Sequence, residues 1–327
     1  MLDARSALAH VARGTGKAVH TLCSPSGLRG AGTELAWVAA HLALYPLGIG
    51  NERARGRRRD ELDRFTLADL PPVQRGLLIG DVVAAGTPIL LVHGLVDNRS
   101  IFTLLRRALR RRGFGRIITL NYSPFTQDIR AVAAQLGELV ERTCEETGYE
   151  RVHVVGHSLG GVVARYYVQR LGGDARVHTL CTLGTPHAGT YAANLFSRGL
   201  MLGAVRQLRP GSDLMRELAE PAPGCRTRFV AFWSDLDQLI VPQRSASIDH
   251  PDLTVRNVAL RGVGHMSLPI HGPVVHEITT LLAHLGEDGS TRTAGVTSIE
   301  PATSVDAQEP CPPVPPARQG SQAIAPA

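Results

Sequence analysis

The chain is expected to be an α/β protein with a mostly parallel central sheet, helices on both faces and a helical cover region. Three observations predict this. First, its 327 residues, 43% of them hydrophobic, are enough for one large core. Second, from residue 88 onward, short runs rich in Val and Ile alternate with longer amphipathic runs, the rhythm of strands buried on both faces by crossover helices. Third, residues 187–225 break that rhythm with "NLFSRGLMLGAVRQLRPGSDLMREL", which reads as a cover over a site.

The elements follow in order. A strand is expected at 88–93, a helix at about 100–111, a strand at 116–121, a helix at about 127–147 and a strand at 151–156. A helix from Leu159 to about Arg170 and a strand at 176–183 come next. After the interruption, "TRFVAFWSD" and "TVRNVAL" are strand-like, and "PVVHEITTLLAHL" has the apolar spacing of a helix. Three regions are expected: a helical N-terminal extension at 1–75, a main domain at 76–286 with the cover inserted at about 190–225, and a Pro-rich disordered tail at 287–327.

Charge and cysteines exclude more than they assign. The formal charge of +6 favours anionic partners, but no zinc-finger, helix-turn-helix or RNA-binding signature accompanies the arginines, so no nucleic-acid partner is expected. Five widely spaced cysteines fit neither a disulfide framework nor a metal-ligand pair. No metal or organic cofactor is expected; "GTGK" at 14–17 and "GFG" at 113–115 lack the rest of a phosphate- or dinucleotide-binding motif. No signal-peptide pattern opens the sequence, and the expected location is cytoplasmic. Residues 35–50 are uncharged, too short to span a bilayer, and followed by five arginines between Arg53 and Arg59. They suit either a peripheral contact with an anionic membrane or a helix laid across the main domain beside a solvated loop.

The chemistry centres on "VHVVGHSLGG", residues 152–161, where Gly156, Ser158 and Gly160 form G-x-S-x-G between an expected strand and an expected helix. A serine on so sharp a turn needs small neighbours, and the turn lifts its hydroxyl above the sheet beside the free amides of a helix N-terminus. Ser158 is therefore the candidate nucleophile, and it needs a base. His265, in the Gly-rich "LRGVGHMSLP" after a late strand, is preferred over His93, His157, His187 and His271. His93 and His157 lie beside the anion hole and nucleophile, where they would shape the pocket. The carboxylate that orients the base falls in "AFWSDLDQLIVP"; Asp237, next to the apolar "LIVP", is preferred to Asp235, while Asp249 and Asp252 would have to reach back. The amides of Leu159 and of Leu95, after the His93-Gly94 turn, are the expected oxyanion donors, with Val96 auxiliary.

In combination, "LVHGLVDN", "VHVVGHSLGGVVARYY", "TLGTPHAGT", "SDLDQLIVP" and "GVGHMSL" resemble the α/β-hydrolase superfamily. The resemblance is to bacterial lipases and esterases related to class 2 lipases and to the family that deacylates GPI-anchor inositol, and it covers about residues 77–285. It implies the Ser158–Asp237–His265 triad, the amides of Leu95 and Leu159, and a pocket-lining loop at 184–189, which contains His187. Residues Leu195, Phe196, Leu200, Met201, Leu202, Val205, Leu208, Leu214 and Met215 give the cover an apolar character that suits an acyl chain. The expected activity is lipase-like hydrolysis of hydrophobic carboxylic esters. A short-chain esterase, an acyltransferase and a non-catalytic membrane-associated scaffold are the alternatives.

Overall fold

The computed structural model describes residues 84, 86–95, 99–122, 128–196 and 203–283. The expectations for residues 1–75, including the 35–59 segment, and for the 287–327 tail lie outside the described residues. So do Val96, Leu200, Met201 and Leu202, and the side chains of Leu195 and Phe196.

The described chain runs β1 (Ile89–Val92), α1 (Thr103–Arg112), β2 (Ile117–Leu120), α2 (Ile129–Thr147), β3 (Val152–His157), α3 (Leu159–Arg170) and β4 (Val177–Leu183). Three short helices follow, α4 (Ala192–Phe196), α5 (Gly203–Gln207) and α6 (Asp213–Ala219), then β5 (Arg228–Ser234), β6 (Thr254–Leu260) and α7 (Gly272–Leu282). The strands form a six-stranded sheet in the order β2-β1-β3-β4-β5-β6, and every pairing is parallel.

Two cores follow from the alternation of side chains along each strand. Leu90 and Val92 of β1, Val152 and Val154 of β3, and Phe229 and Ala231 of β5 pack with α2 and α3. Ile89 and Leu91, Val155, and Val230 and Phe232 face the other way, onto α1 and α7. Phe229 and Phe232 are among the largest side chains withdrawn almost completely from water; burying each contributes about 1.5–3 kcal/mol. The right-handed crossover explains the division: the chain steps from β1 outward to β2, then reverses past β1 to β3, so α1 and α2 fall on opposite faces. The reversal falls between β1 and β3, and open α/β sheets bind ligands at the carboxyl ends of the strands flanking such a switch point. No helix among the described residues is long and apolar enough to cross a membrane.

The cover joins the first core. Val205, Leu208, Leu214 and Met215 are all buried in the cluster built on α2 and α3, so these four side chains pack against the domain. Polar pins reinforce them. Arg130 at the start of α2 makes two hydrogen bonds with the Glu217 carboxylate on α6, and the Tyr166 hydroxyl donates to the same group at 2.7 Å. The Gln207 amide donates to Asp128 at 2.8 Å while its oxygen accepts the Ile129 N–H at 2.8 Å. The Arg130 hydrogen bond holds the Glu217 carboxyl below its ordinary pKa, against the effect of burial, and Tyr166 adds to it.

Candidate active site

β3 ends in a turn with little room for side chains. Ser158 has φ 54° and ψ −122°, and it is the sole non-glycine residue at positive φ among the described residues. A backbone of this kind costs on the order of 1–3 kcal/mol and persists where its surroundings impose it. Here the Ser158 N–H is held by the Leu183 carbonyl at 2.9 Å. The hydroxyl makes no cap bond to α3, so it is not spent on finishing the helix. Its neighbours His157, Leu159, Gly160 and Gly161 are buried, and Ser158 alone in that stretch is partly exposed.

The glycines make the turn sterically feasible. A Cβ on Gly156 would lie 2.5 Å from the Gly161 Cα, and one on Gly160 would lie 2.1 Å from the Val92 carbonyl oxygen. Because the obstacle to Gly160 is backbone, it cannot swing aside. Gly160→Ala is expected to lose about 3 kcal/mol, the upper end for overpacking. Gly272→Ala, whose Cβ would meet nothing within 4 Å, serves as the control and is expected to stay within about 0.5 kcal/mol of wild type. Urea midpoints measure both, and equal stabilities would overturn the steric account.

Asp237 and His265 form a buried pair across the loops that follow β5 and β6. Their exposures are 0% and 2%, and His265 Nδ1–H donates to Asp237 Oδ2 at 2.8 Å. The other carboxylate oxygen accepts the N–H groups of Leu239 at 3.0 Å and Ile240 at 3.1 Å. A fully buried carboxylate is tolerable only when so paired. Asp235 is engaged elsewhere: it accepts the Gly262 N–H at 2.8 Å and steadies the loop that carries His265. Gly184 separates the pair from β4; a Cβ there would lie 2.9 Å from Asp237 Oδ2 and 3.0 Å from His265 Nδ1. Leu183 and Gly184 thus touch both the turn that holds Ser158 and the Asp237–His265 pair.

The remaining candidates are placed less uniformly. His157 lies beside His265: its ring sits 4.8 Å from that of His265, and its Nε2–H donates to the His265 carbonyl at 3.2 Å. His187 is buried with Nε2 2.9 Å from the Thr182 hydroxyl, turned toward β4. Burial, with Arg165 adding charge nearby, drives its pKa well below the usual histidine value, so it is neutral at physiological pH. Leu159 is the first residue of α3, whose opening amides have no partner within the helix. Leu95 is half-buried beside the first core.

Arg165 was not foreseen as part of this region. It is 4% exposed and donates to the carbonyls of His187 at 3.1 Å and Leu218 at 3.0 Å and to the Gln169 amide oxygen at 2.5 Å. It ties the 184–189 loop to the cover. Burial, with Arg170 nearby, lowers its pKa to about 10, still charged at neutral pH. The one sequence signal for it is an arginine within the otherwise apolar run "GGVVARYYV".

Comparison with known proteins places this geometry. The model of the palmitoyl protein thioesterase family matches residues 88–220. A triacylglycerol lipase of Pseudarthrobacter phenanthrenivorans is 29% identical over 115 residues, 33% of this chain and 35% of that protein. One from Burkholderia plantarii is 29% identical over 115 residues, 33% of this chain and 31% of that one. The match therefore spans about a third of the length of these curated relatives. Among solved structures, the mature Bacillus licheniformis lipase BlEst2 aligns with a TM-score of 0.50 and 19% identity, over 61% of this chain and 92% of that one. Aspergillus fumigatus lipase B aligns with a TM-score of 0.52 and 15% identity, over 61% of this chain and 53% of that one. The chain has the α/β-hydrolase fold. In this fold the nucleophile sits on the turn after a central strand, and acid and histidine follow it in that chain order. Ser158, Asp237 and His265 occur in the same order. Among the described residues no group of three or more His, Cys, Asp or Glu side chains could hold a metal ion.

Proposed function

We propose that the protein is a serine hydrolase that cleaves carboxylic esters of hydrophobic acyl groups, with Ser158, Asp237 and His265 as its catalytic residues. One observation carries the reading: a strained, partly exposed serine lies on a strand-to-helix turn that shares the 183–184 backbone with a buried Asp–His pair. His265 takes the Ser158 proton as Oγ bonds to the ester carbonyl carbon. The amides of Leu95 and Leu159, with Val96 auxiliary, hold the resulting oxyanion. Protonated His265 then gives its proton to the departing alkoxide as the carbon–oxygen bond breaks. Water, deprotonated by His265, then adds to the acyl carbon, and protonated His265 gives that proton to Ser158 Oγ as its bond to carbon breaks and the acid leaves.

The lipase names of the curated relatives support a hydrophobic acyl group, and the proposed kinship is with class 2 lipases and the GPI-inositol deacylases. Val205, Leu208, Leu214 and Met215 are committed to the core; the cover residues proposed to meet the acyl group are Leu200, Met201 and Leu202. The match to the thioesterase family model favours a second reading, in which the carbonyl belongs to an acyl thioester.

Hydrolysis of esters and thioesters from C2 to C16 tests both. Each buried methylene adds up to about fourfold in kcat/KM (~0.8 kcal/mol), so a rise over several carbons is the expected result. Polar substitution at 200–202 should flatten that rise. Fastest turnover on acetyl esters would instead mark a plain esterase. Preference for thioesters at matched chain length would select the second reading.

A further inference from the structure

We propose that Tyr122 is a positioning residue for oxyanion binding, one that aims the Leu95 amide and registers its loop against the helix behind Ser158. The inference rests on the hydrolase reading and adds to it a residue that the triad and its amides do not include.

The ring and the hydroxyl of Tyr122 both meet the loop. The parallel pairing of β1 with β2 sets Val92 opposite Leu120, so two residues further on Tyr122 stands beside Gly94. Its ring stacks on His93 with centroids 4.4 Å apart and planes 4° from parallel. Its hydroxyl donates to the His93 carbonyl at 2.5 Å and lies 3.4 Å from the Gly94 carbonyl.

The peptide plane converts these contacts into aim. The Gly94 carbonyl and the Leu95 N–H belong to one planar trans unit and point in opposite directions. His93 Nδ1–H donates to the Gly94 oxygen at 2.8 Å. With that oxygen drawn to the His93 and Tyr122 side, the Leu95 N–H is turned away from them. The His93 oxygen, held by the Tyr122 hydroxyl, also abuts the Ser158 helix: a Cβ on Gly160 would lie 2.5 Å from it. Loop and helix, the sources of the two amides, therefore meet at an atom that Tyr122 holds. A side chain that merely filled space would not need its hydroxyl, since burying a hydroxyl is unfavourable unless it is bonded. Tyr122 is 7% exposed and its hydroxyl is bonded to this loop.

Tyr122→Phe keeps the ring and removes the hydroxyl. In the full-length protein, assayed well below each melting point, kcat is expected to fall about tenfold to a hundredfold with KM within about twofold. Tyr122→His, whose smaller ring can stack without reaching the carbonyl, is the second variant, in case the first folds poorly. The affinity for an alkyl trifluoromethyl ketone, whose adduct places an oxyanion in the hole, should fall by the same factor as kcat/KM. Loss of packing alone would raise KM or lower the melting point without that parallel. A wild type labelled by an organophosphonate, beside a folded Tyr122→Phe labelled and turning over at an equal rate, overturns the positioning role alone. A wild type that takes no label and hydrolyses no ester overturns the hydrolase reading, and this inference with it.

Discussion

Ser158→Ala is expected to abolish covalent labelling by an active-site-directed organophosphonate and to lower kcat by about 10⁶-fold. The wild type should gain one label per chain, because a phosphonyl centre needs the same nucleophile and the same oxyanion donors as an ester. Residual ester hydrolysis above the uncatalysed rate is compatible with the assignment, since binding and the oxyanion donors remain after the hydroxyl is gone. Ser158→Gly sharpens the result. Glycine adopts φ 54° without the cost that a side chain carries there, so it should lose labelling equally while melting at a higher temperature. Strain relieved together with activity lost is the pattern of a turn retained for its chemistry. Label that survives Ser158→Ala, found by peptide mapping at another residue, would remove Ser158 from the mechanism.

What the sequence reveals and what it hides separate by distance along the chain. The β/α rhythm is readable because strands buried on both faces must be continuous apolar runs; Val152–His157 and Val177–Leu183 start within a residue of their expected positions. The helix expected at about 100–111 begins instead with a 3-10 turn at Arg99–Phe102, a boundary shift that composition does not encode. The serine turn is legible for a local reason: its glycines are spaced by the clash that each avoids. The support around it is not local. Tyr122 reaches His93 across 29 positions, and Arg165 reaches Leu218 across 53; both arise only once β2 lies against β1 and the cover lies on α3. His157 illustrates the same limit. Its place beside Ser158 suggests a pocket wall, and only the fold shows that its ring also meets His265, on the loop that follows β6. The cover's leucines and methionines read equally well as substrate contacts or as packing until α2 and α3 come up beneath them, and burial then assigns Val205, Leu208, Leu214 and Met215 to the core.

Asp237→Asn is expected to cost about 10⁴-fold in kcat with little loss of stability. An asparagine at 237 can still offer an oxygen to the Leu239 and Ile240 amides, so the loop should hold its shape. Its amide nitrogen, however, would face His265 Nδ1, now 2.8 Å from a carboxylate oxygen, with a donor where an acceptor stood. Two donors cannot share that contact. The imidazole must move its proton to Nε2 so that Nδ1 can accept, and Nε2 is then unable to take the proton of Ser158. The imidazolium formed during attack would also lose the negative charge beside it, in a site where burial leaves water little chance to compensate. Asp235→Asn provides the contrast. Asp235 accepts the Gly262 N–H at 2.8 Å, a bond that an amide oxygen can replace, so its kcat should stay within about tenfold of wild type. Steady-state kinetics on one ester, with urea midpoints for each variant, separate the cases. Comparable losses at both positions, or the larger loss at 235, would show that Asp237 does not set the tautomer of His265.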